Sequence, residues 1–135
     1  MIEINNFTDF SVDKKTFSTV AKKVLSGENK EREDVSVAIV GKEEIKNLNK
    51  KFRKKNKPTD VLSFLLNEKQ YLGEIIICPE VVKENAEKYK VSVKSEMLKV
   101  FVHGILHLLG YDHEKSEVEA EEMEKKQEKY LSKVK

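Results

Sequence analysis

The segment MLKVFVHGILHLLGYDH, from Met97 to His113, carries apolar side chains at Met97, Leu98, Val100, Phe101, Val102, Ile105, Leu106, Leu108 and Leu109. They cover nearly the whole circumference of a helix, which predicts an element buried on every side rather than one lying half-wet on a surface. Past Lys99 only His103 and His107 interrupt the apolar run before Gly110. A helix buried all round needs other elements on all its faces, so this segment sets the architecture and places two polar rings in its middle.

Spacing of i and i+4 puts His103 and His107 one turn apart on one face, where two ring nitrogens can converge on an ion about 2.0–2.1 Å from each. Gly110 lets the chain leave the helix, and the turn through Tyr111 and Asp112 can return His113 to the same ion. Three neutral nitrogen ligands would leave a fourth position open for chemistry. Taken singly, each histidine also reads as a core ring bonded to backbone, but the pair, the glycine and the third ring together read as a metal set. Zinc suits three imidazoles, with nickel and copper as alternatives. The only cysteine is Cys78, so no thiolate cage and no intramolecular disulfide is available, and Cys78 itself reads as a small buried hydrophobe.

The spacing HxxxHxxGxxH matches the metzincin protease pattern, except that Gly104 stands where that pattern has a glutamate. The general base of a zinc peptidase is therefore missing. A water held by zinc can still ionise near pH 7, so hydrolysis of another kind remains in view.

Outward from this helix, Ile2 and Ile4 alternate as a first strand, and Phe17, Val20, Ala21, Val24 and Leu25 recur at helical spacing up to Gly27, a C-terminal stop. Val35, Val37 and Ile39 alternate in a second strand. Ile45, Leu48 and Phe52 mark one apolar face of a helix over about 42–51, whose other face is basic. After the turn at Asn56, Lys57 and Pro58, VLSFLL from Val61 and GEIIIC from Gly73 read as buried strands. Pro79 opens a helix to about Tyr89, Ser92 caps the next, and Ser116 with Glu119 forms a capping box before a last helix with Ala120, Met123, Gln127, Tyr130 and Leu131 inward. The order βαβαββααα predicts an α+β fold: one small domain over residues 1–135, a mixed four-stranded sheet packed by about five helices, one of them a metzincin-like metal helix.

Composition agrees. The 135 residues are 39% hydrophobic and 37% charged with five Gly and two Pro, which excludes collagen-like, low-complexity and disordered classes. No window approaches the roughly 18 apolar residues of a membrane span. Met1 to Phe10 carries Glu3 and Asp9 where a signal peptide is basic and then apolar, so the expectation is the cytoplasm.

A net charge of +2 says little about partners, but the charges are segregated. Between Lys46 and Lys57 stand seven basic residues and no acid, whereas Asp112 to Glu124 holds seven acids against Lys115. Lys46 and Lys50 fall at i and i+4, and Arg53 or Lys54 continues the stripe. The plain alternative is a solvated face; beside an open metal site the stripe reads instead as a phosphate track, with Arg53 able to grip a phosphodiester bidentately. Thr59 reads as a turn residue and Asp60 as a partner for a zinc-bound histidine. The acidic last helix reads as a solvated face.

Taken with FRKKNKPTDVLSF from Phe52 and GEIIICPE from Gly73, the stretch HGILHLLGYDH resembles the YbeY family of bacterial metal-dependent endoribonucleases that mature ribosomal RNA. The resemblance implies that His103, His107 and His113 are zinc ligands and that Arg53 is the arginine needed for RNA cleavage. It also implies cleavage of single-stranded RNA, maturation of the 3′ end of 16S ribosomal RNA on the small subunit, and ribosome quality control. The chain departs from the family's RGKDKPTDVLSFP at Lys54, Asn56 and Leu65, where the family has Gly, Asp and Pro.

The sequence therefore yields a metal-dependent endoribonuclease with Arg53 and His103 catalytic, Lys46, Lys50, Arg53, Lys54 and Lys57 on the RNA, and zinc on the three histidines. Neither membrane nor DNA is an expected partner. Asp112, or water activated by zinc alone, are the alternatives for the base. The alternatives in function are a ribosome assembly factor with a structural zinc and, opposed by Gly104, a zinc peptidase.

Overall fold

The computed structural model describes residues 1–112 and 116–132. The chain runs through Ile2–Asn6 (β1), Lys14–Gly27 (α1), Asp34–Ile39 (β2), Lys42–Arg53 (α2), Val61–Glu68 (β3), Tyr71–Ile77 (β4), Pro79–Tyr89 (α3), Val93–Leu108 (α4) and Glu117–Ser132 (α5). This is the order that the periodicities predict.

The strands lie side by side as β1-β2-β4-β3, with β1/β2 and β2/β4 parallel and β3/β4 antiparallel. Parallel neighbours need a crossover, which α1 supplies between β1 and β2, whereas β3 and β4 join by a short turn. The result is an α+β fold, a mixed sheet with five helices among the described residues.

Alternation sorts the side chains of the sheet. Val35, Val37 and Ile39 of β2 and Ile75 and Ile77 of β4 meet α1, α4 and α5 in the main core, while Ile76, Leu62, Cys78 and Ile45 of α2 form a smaller cluster. Helix α4 touches α1, α3, α5, β3 and β4, as a helix apolar all round requires. Phe101, Ile105 and Leu106 are fully buried on it, each worth about 1.5–3 kcal/mol of apolar burial. The Ser92 side chain caps α4 by accepting from the Ser95 N–H at 3.0 Å, and Gly110, at φ +104°, turns the chain away beyond its end. Ser116 caps α5 through the Glu119 N–H at 3.1 Å.

Three local expectations are corrected. Gly27 is not a left-handed stop; it stays within α1, and positive φ falls at Asn29. Glycine is needed there because a Cβ would lie 2.5 Å from the Tyr130 hydroxyl of α5. Phe52 is not core but 54% exposed, since the last turn of α2 lies over edge strand β3, where the ring packs edge-on against Phe64 at 5.3 Å. The inward position goes to buried Asn49, whose Nδ2 donates to the Lys57 carbonyl at 2.9 Å and holds the following loop. Leu65, read as part of a buried strand, is 66% exposed because β3 is an edge with one neighbour.

One carboxylate ties distant segments together. Glu28, just beyond α1, accepts hydrogen bonds from the hydroxyls of Tyr111 at 2.6 Å and of Tyr130, and from Lys126 Nζ at 3.2 Å. Burial works to raise its pKa, but the Tyr111, Tyr130 and Lys126 donors together hold it below the ordinary value near 4.5. The same burial and the Glu28 charge push Tyr111 up to about 12 and raise Tyr130 as well. Because the folded-state pKa of Glu28 is depressed, its contribution is complete above the unfolded value and is lost as pH falls through the folded one. Glu28→Gln should therefore lower unfolding stability by about 2 kcal/mol at pH 7, as expected for bonds to a charged acceptor. In urea titrations the gap to the unsubstituted protein should close as pH drops below about 4.5; a gap constant from pH 7 to pH 3 would refute the role of the charge.

Candidate active site

His103 and His107 are half-buried on α4, with Val102, Gly104, Ile105, Leu106 and Leu108 buried around them. Nδ1 of His103 lies 3.0 Å from Oε1 of Gln127 on α5. An amide oxygen only accepts, so Nδ1 donates and Nε2 becomes the lone-pair nitrogen of that ring. Nδ1 of His107 is buried and has no hydrogen-bond partner among the described residues. A buried ring nitrogen left without a partner costs about 1–3 kcal/mol, which a water or a cation would relieve. His113 lies outside the described residues. Two imidazoles one turn apart, one oriented by an amide and one with an orphaned nitrogen, suit a borderline-soft cation.

Arg53 is brought to the same place from the opposite side of β3. Lys54 adopts φ 58° and ends α2, and its N–H and that of Lys55 bond back to the Lys50 and Asn49 carbonyls. The Arg53 side chain crosses to β3, where Nη2 donates to the Ser63 carbonyl at 3.1 Å. Ser63 in turn donates from Oγ to the carbonyl of Gly104, between the two histidines, at 3.2 Å. One strand residue thus links the guanidinium to the histidine helix.

Gly104 itself explains the missing protease base. A Cβ there would stand 3.1 Å from Ile75 Cγ2 and 3.2 Å from Ser63 Oγ, so this side of α4 rests directly on the sheet. A carboxylate at this position would point into apolar packing rather than toward a substrate.

Two depressions meet at Arg53. One, of about 470 Å³, holds His103, Gln127, Glu96 and Lys99 opposite Arg53, Lys55, Lys57 and Asp60. The other, of about 330 Å³, holds His107, Ser63, Leu65 and Asp112. A larger hollow of about 580 Å³ between α1 and the start of α4 contains neither histidine and shares only Lys99 with the first.

Of the basic run, Arg53 therefore borders both histidines, while Lys55 and Lys57 border the depression with His103 only. Lys46, half-buried, and Lys50 and Lys54, exposed, lie outside both linings. Asp60 borders the His103 depression and accepts the Cys78 N–H through its backbone at 2.9 Å, while the Nδ1 contact of His103 just described is with Gln127. Thr59 bonds to Asp60 at 3.4 Å, as a turn residue would. Burial raises the Cys78 thiol, in keeping with an inert core cysteine. Glu96, Lys99 and Gln127, which no local motif marks, line the same depression as His103. Glu96 and Lys99 sit seven and four residues before His103, on its face of the helix, and Gln127 is a polar side chain among the inward residues of α5.

The chain as a whole has relatives among known proteins. The family model described as Endoribonuclease YbeY matches residues 3–135. A protein named Endoribonuclease YbeY from Thermotoga petrophila is 49% identical over 100 residues, 74% of this chain and 67% of the relative. One of the same name from Persephonella marina is 39% identical over 121 residues, 85% of this chain and 79% of the relative. The solution structure of TM1509 from Thermotoga maritima superimposes with a TM-score of 0.74 at 39% identity, covering 99% of this chain and 89% of that one.

Gly104→Glu, which completes the protease spacing, should abolish the cooperative thermal transition rather than create peptidase activity. A folded variant with zinc-dependent peptide turnover would overturn the packing argument.

Proposed function

The chain belongs to the Endoribonuclease YbeY family, and on that footing we propose that it is a single-domain, metal-dependent hydrolase that cuts single-stranded RNA internally. Its work is the 3′-end maturation of 16S ribosomal RNA and ribosome quality control, with the small ribosomal subunit as partner. The observation that carries the reading is Arg53, bonded to Ser63 at the junction of two depressions that each contain a histidine of α4. Among the described residues no helix is long and apolar enough to cross a membrane. The cytoplasm, where ribosomal RNA is matured, is the compartment this role requires.

In this proposal His103 and His107, with His113, hold one zinc ion, nickel or copper being the alternatives; the orphaned nitrogen of His107 supports a bound cation there. When bound, the ion supplies Lewis acidity, lowering the pKa of a water and offsetting charge on a phosphoryl oxygen. Gln127 holds the His103 ring in one orientation. One Arg53 nitrogen is committed to Ser63, and the remaining donors of the fork face a phosphodiester and stabilise the charge that builds on its oxygens. Lys57 takes the adjoining phosphate, and Lys46, Lys50 and Lys54 extend the track along α2. Asp112, which borders the His107 depression, and water activated by the ion alone are the two alternatives for taking the proton of the attacking oxygen. End-group analysis of the cleaved RNA identifies that oxygen: a 2′,3′-cyclic phosphate excludes attack by water, and a 5′-phosphate excludes attack by the ribose 2′-hydroxyl.

His103→Ala should lose bound metal and RNA cleavage together, whereas Arg53→Ala should keep its metal by elemental analysis and lose turnover by about 100-fold or more. Equal metal loss in both would make Arg53 structural, and RNA binding without metal-dependent cleavage in the unsubstituted protein would favour an assembly factor. Gln127→Ala should weaken metal affinity by about 10–100-fold, measured by competition with a chelator; unchanged affinity would deny Gln127 its orienting role.

A further inference from the structure

Resting on the reading of the cleft as an RNA site, we propose that Tyr89 is the platform on which an unpaired nucleobase of the substrate stacks. Tyr89 ends α3 and is 54% exposed, while Val82 and Ala86 supply the buried contacts of that helix. Its ring borders the depression that holds His103 and Arg53. Lys90, at φ 58°, turns the chain away immediately after it, so the ring stands at the rim with no further helical turn to cover it.

Two cations attend the ring: Lys88 Nζ lies 5.8 Å and Lys99 Nζ 5.7 Å from its centroid. At an exposed ring such contacts are weak and exchangeable, so a base can replace an ammonium on the ring face and the ammonium can move to the phosphate of the same nucleotide. Lys99 belongs to the depression as well, opposite Arg53, Lys55 and Lys57. A cationic groove with an aromatic face at its edge is how proteins hold single strands without reading sequence, because every base has a π-face. In a duplex both faces of a base are covered by its neighbours, so the platform favours unpaired nucleotides. Phe52 is equally exposed, but it packs edge-on against Phe64 and does not border the depression.

The test compares Tyr89→Ala, Tyr89→Phe and Tyr89→Trp in the full, metal-loaded chain. Binding is read by anisotropy of a single-stranded 2′-O-methyl oligonucleotide, and stacking by quenching of 2-aminopurine placed within it. Tyr89→Ala should weaken binding about tenfold or more, raise KM with kcat unchanged and abolish quenching, while Phe and Trp retain all three. Unfolding curves matching the unsubstituted protein are expected for an exposed residue. Unchanged binding in Tyr89→Ala, or a Phe variant as weak as the Ala variant, would overturn the stack. If the unsubstituted protein cleaves RNA while Tyr89→Ala binds normally, the stack falls and the nuclease reading stands; if nothing is cleaved but the binding difference appears, the nuclease reading falls and the stack stands.

Discussion

Close seating of α4 on the sheet governs the rest of the molecule. At Gly104 the helix backbone approaches Ile75 and Ser63 so closely that a Cβ would crowd both, and the Ser63 hydroxyl secures the contact by donating to the Gly104 carbonyl. Burying this helix against α1, α3, α5, β3 and β4 is what permits two histidines to sit half-buried in fixed positions. Ser63 spends its side chain on the helix and its backbone carbonyl on Arg53, so the packing that stabilises the fold also sets the distance between cationic and imidazole groups.

Much of this was legible in the residues. A helix apolar all round predicts a central element, and alternation in Val35–Ile39 predicts a strand; both are found. The errors were of one kind. Phe52 fits the inward period of α2 as well as Asn49 does, but periodicity along one helix does not reveal where the neighbouring sheet ends. Once β3 is the edge, the last turn of α2 has no second layer above it, and Phe52 and Leu65 meet solvent. Gly27 was read for its backbone freedom when the cause was a tyrosine from α5, more than a hundred residues later.

The site divides the same way. Local spacing or a short motif is enough to single out His103, His107 and Arg53, which border the two depressions. It is not enough for Glu96, Lys99 and Gln127, because their membership depends on how α4 packs against its neighbours, which no local window contains. The relatives agree with the family that the local motifs suggested, and the long-range contacts give those motifs their setting.

Helix α5 contributes both Gln127 beside His103 and Tyr130 on Glu28. It is synthesised after every other described element, so a growing chain can lay down sheet, guanidinium and imidazoles and still lack the amide that orients His103. The Nδ1 contact of His103 therefore closes last, once translation has carried the chain past α5.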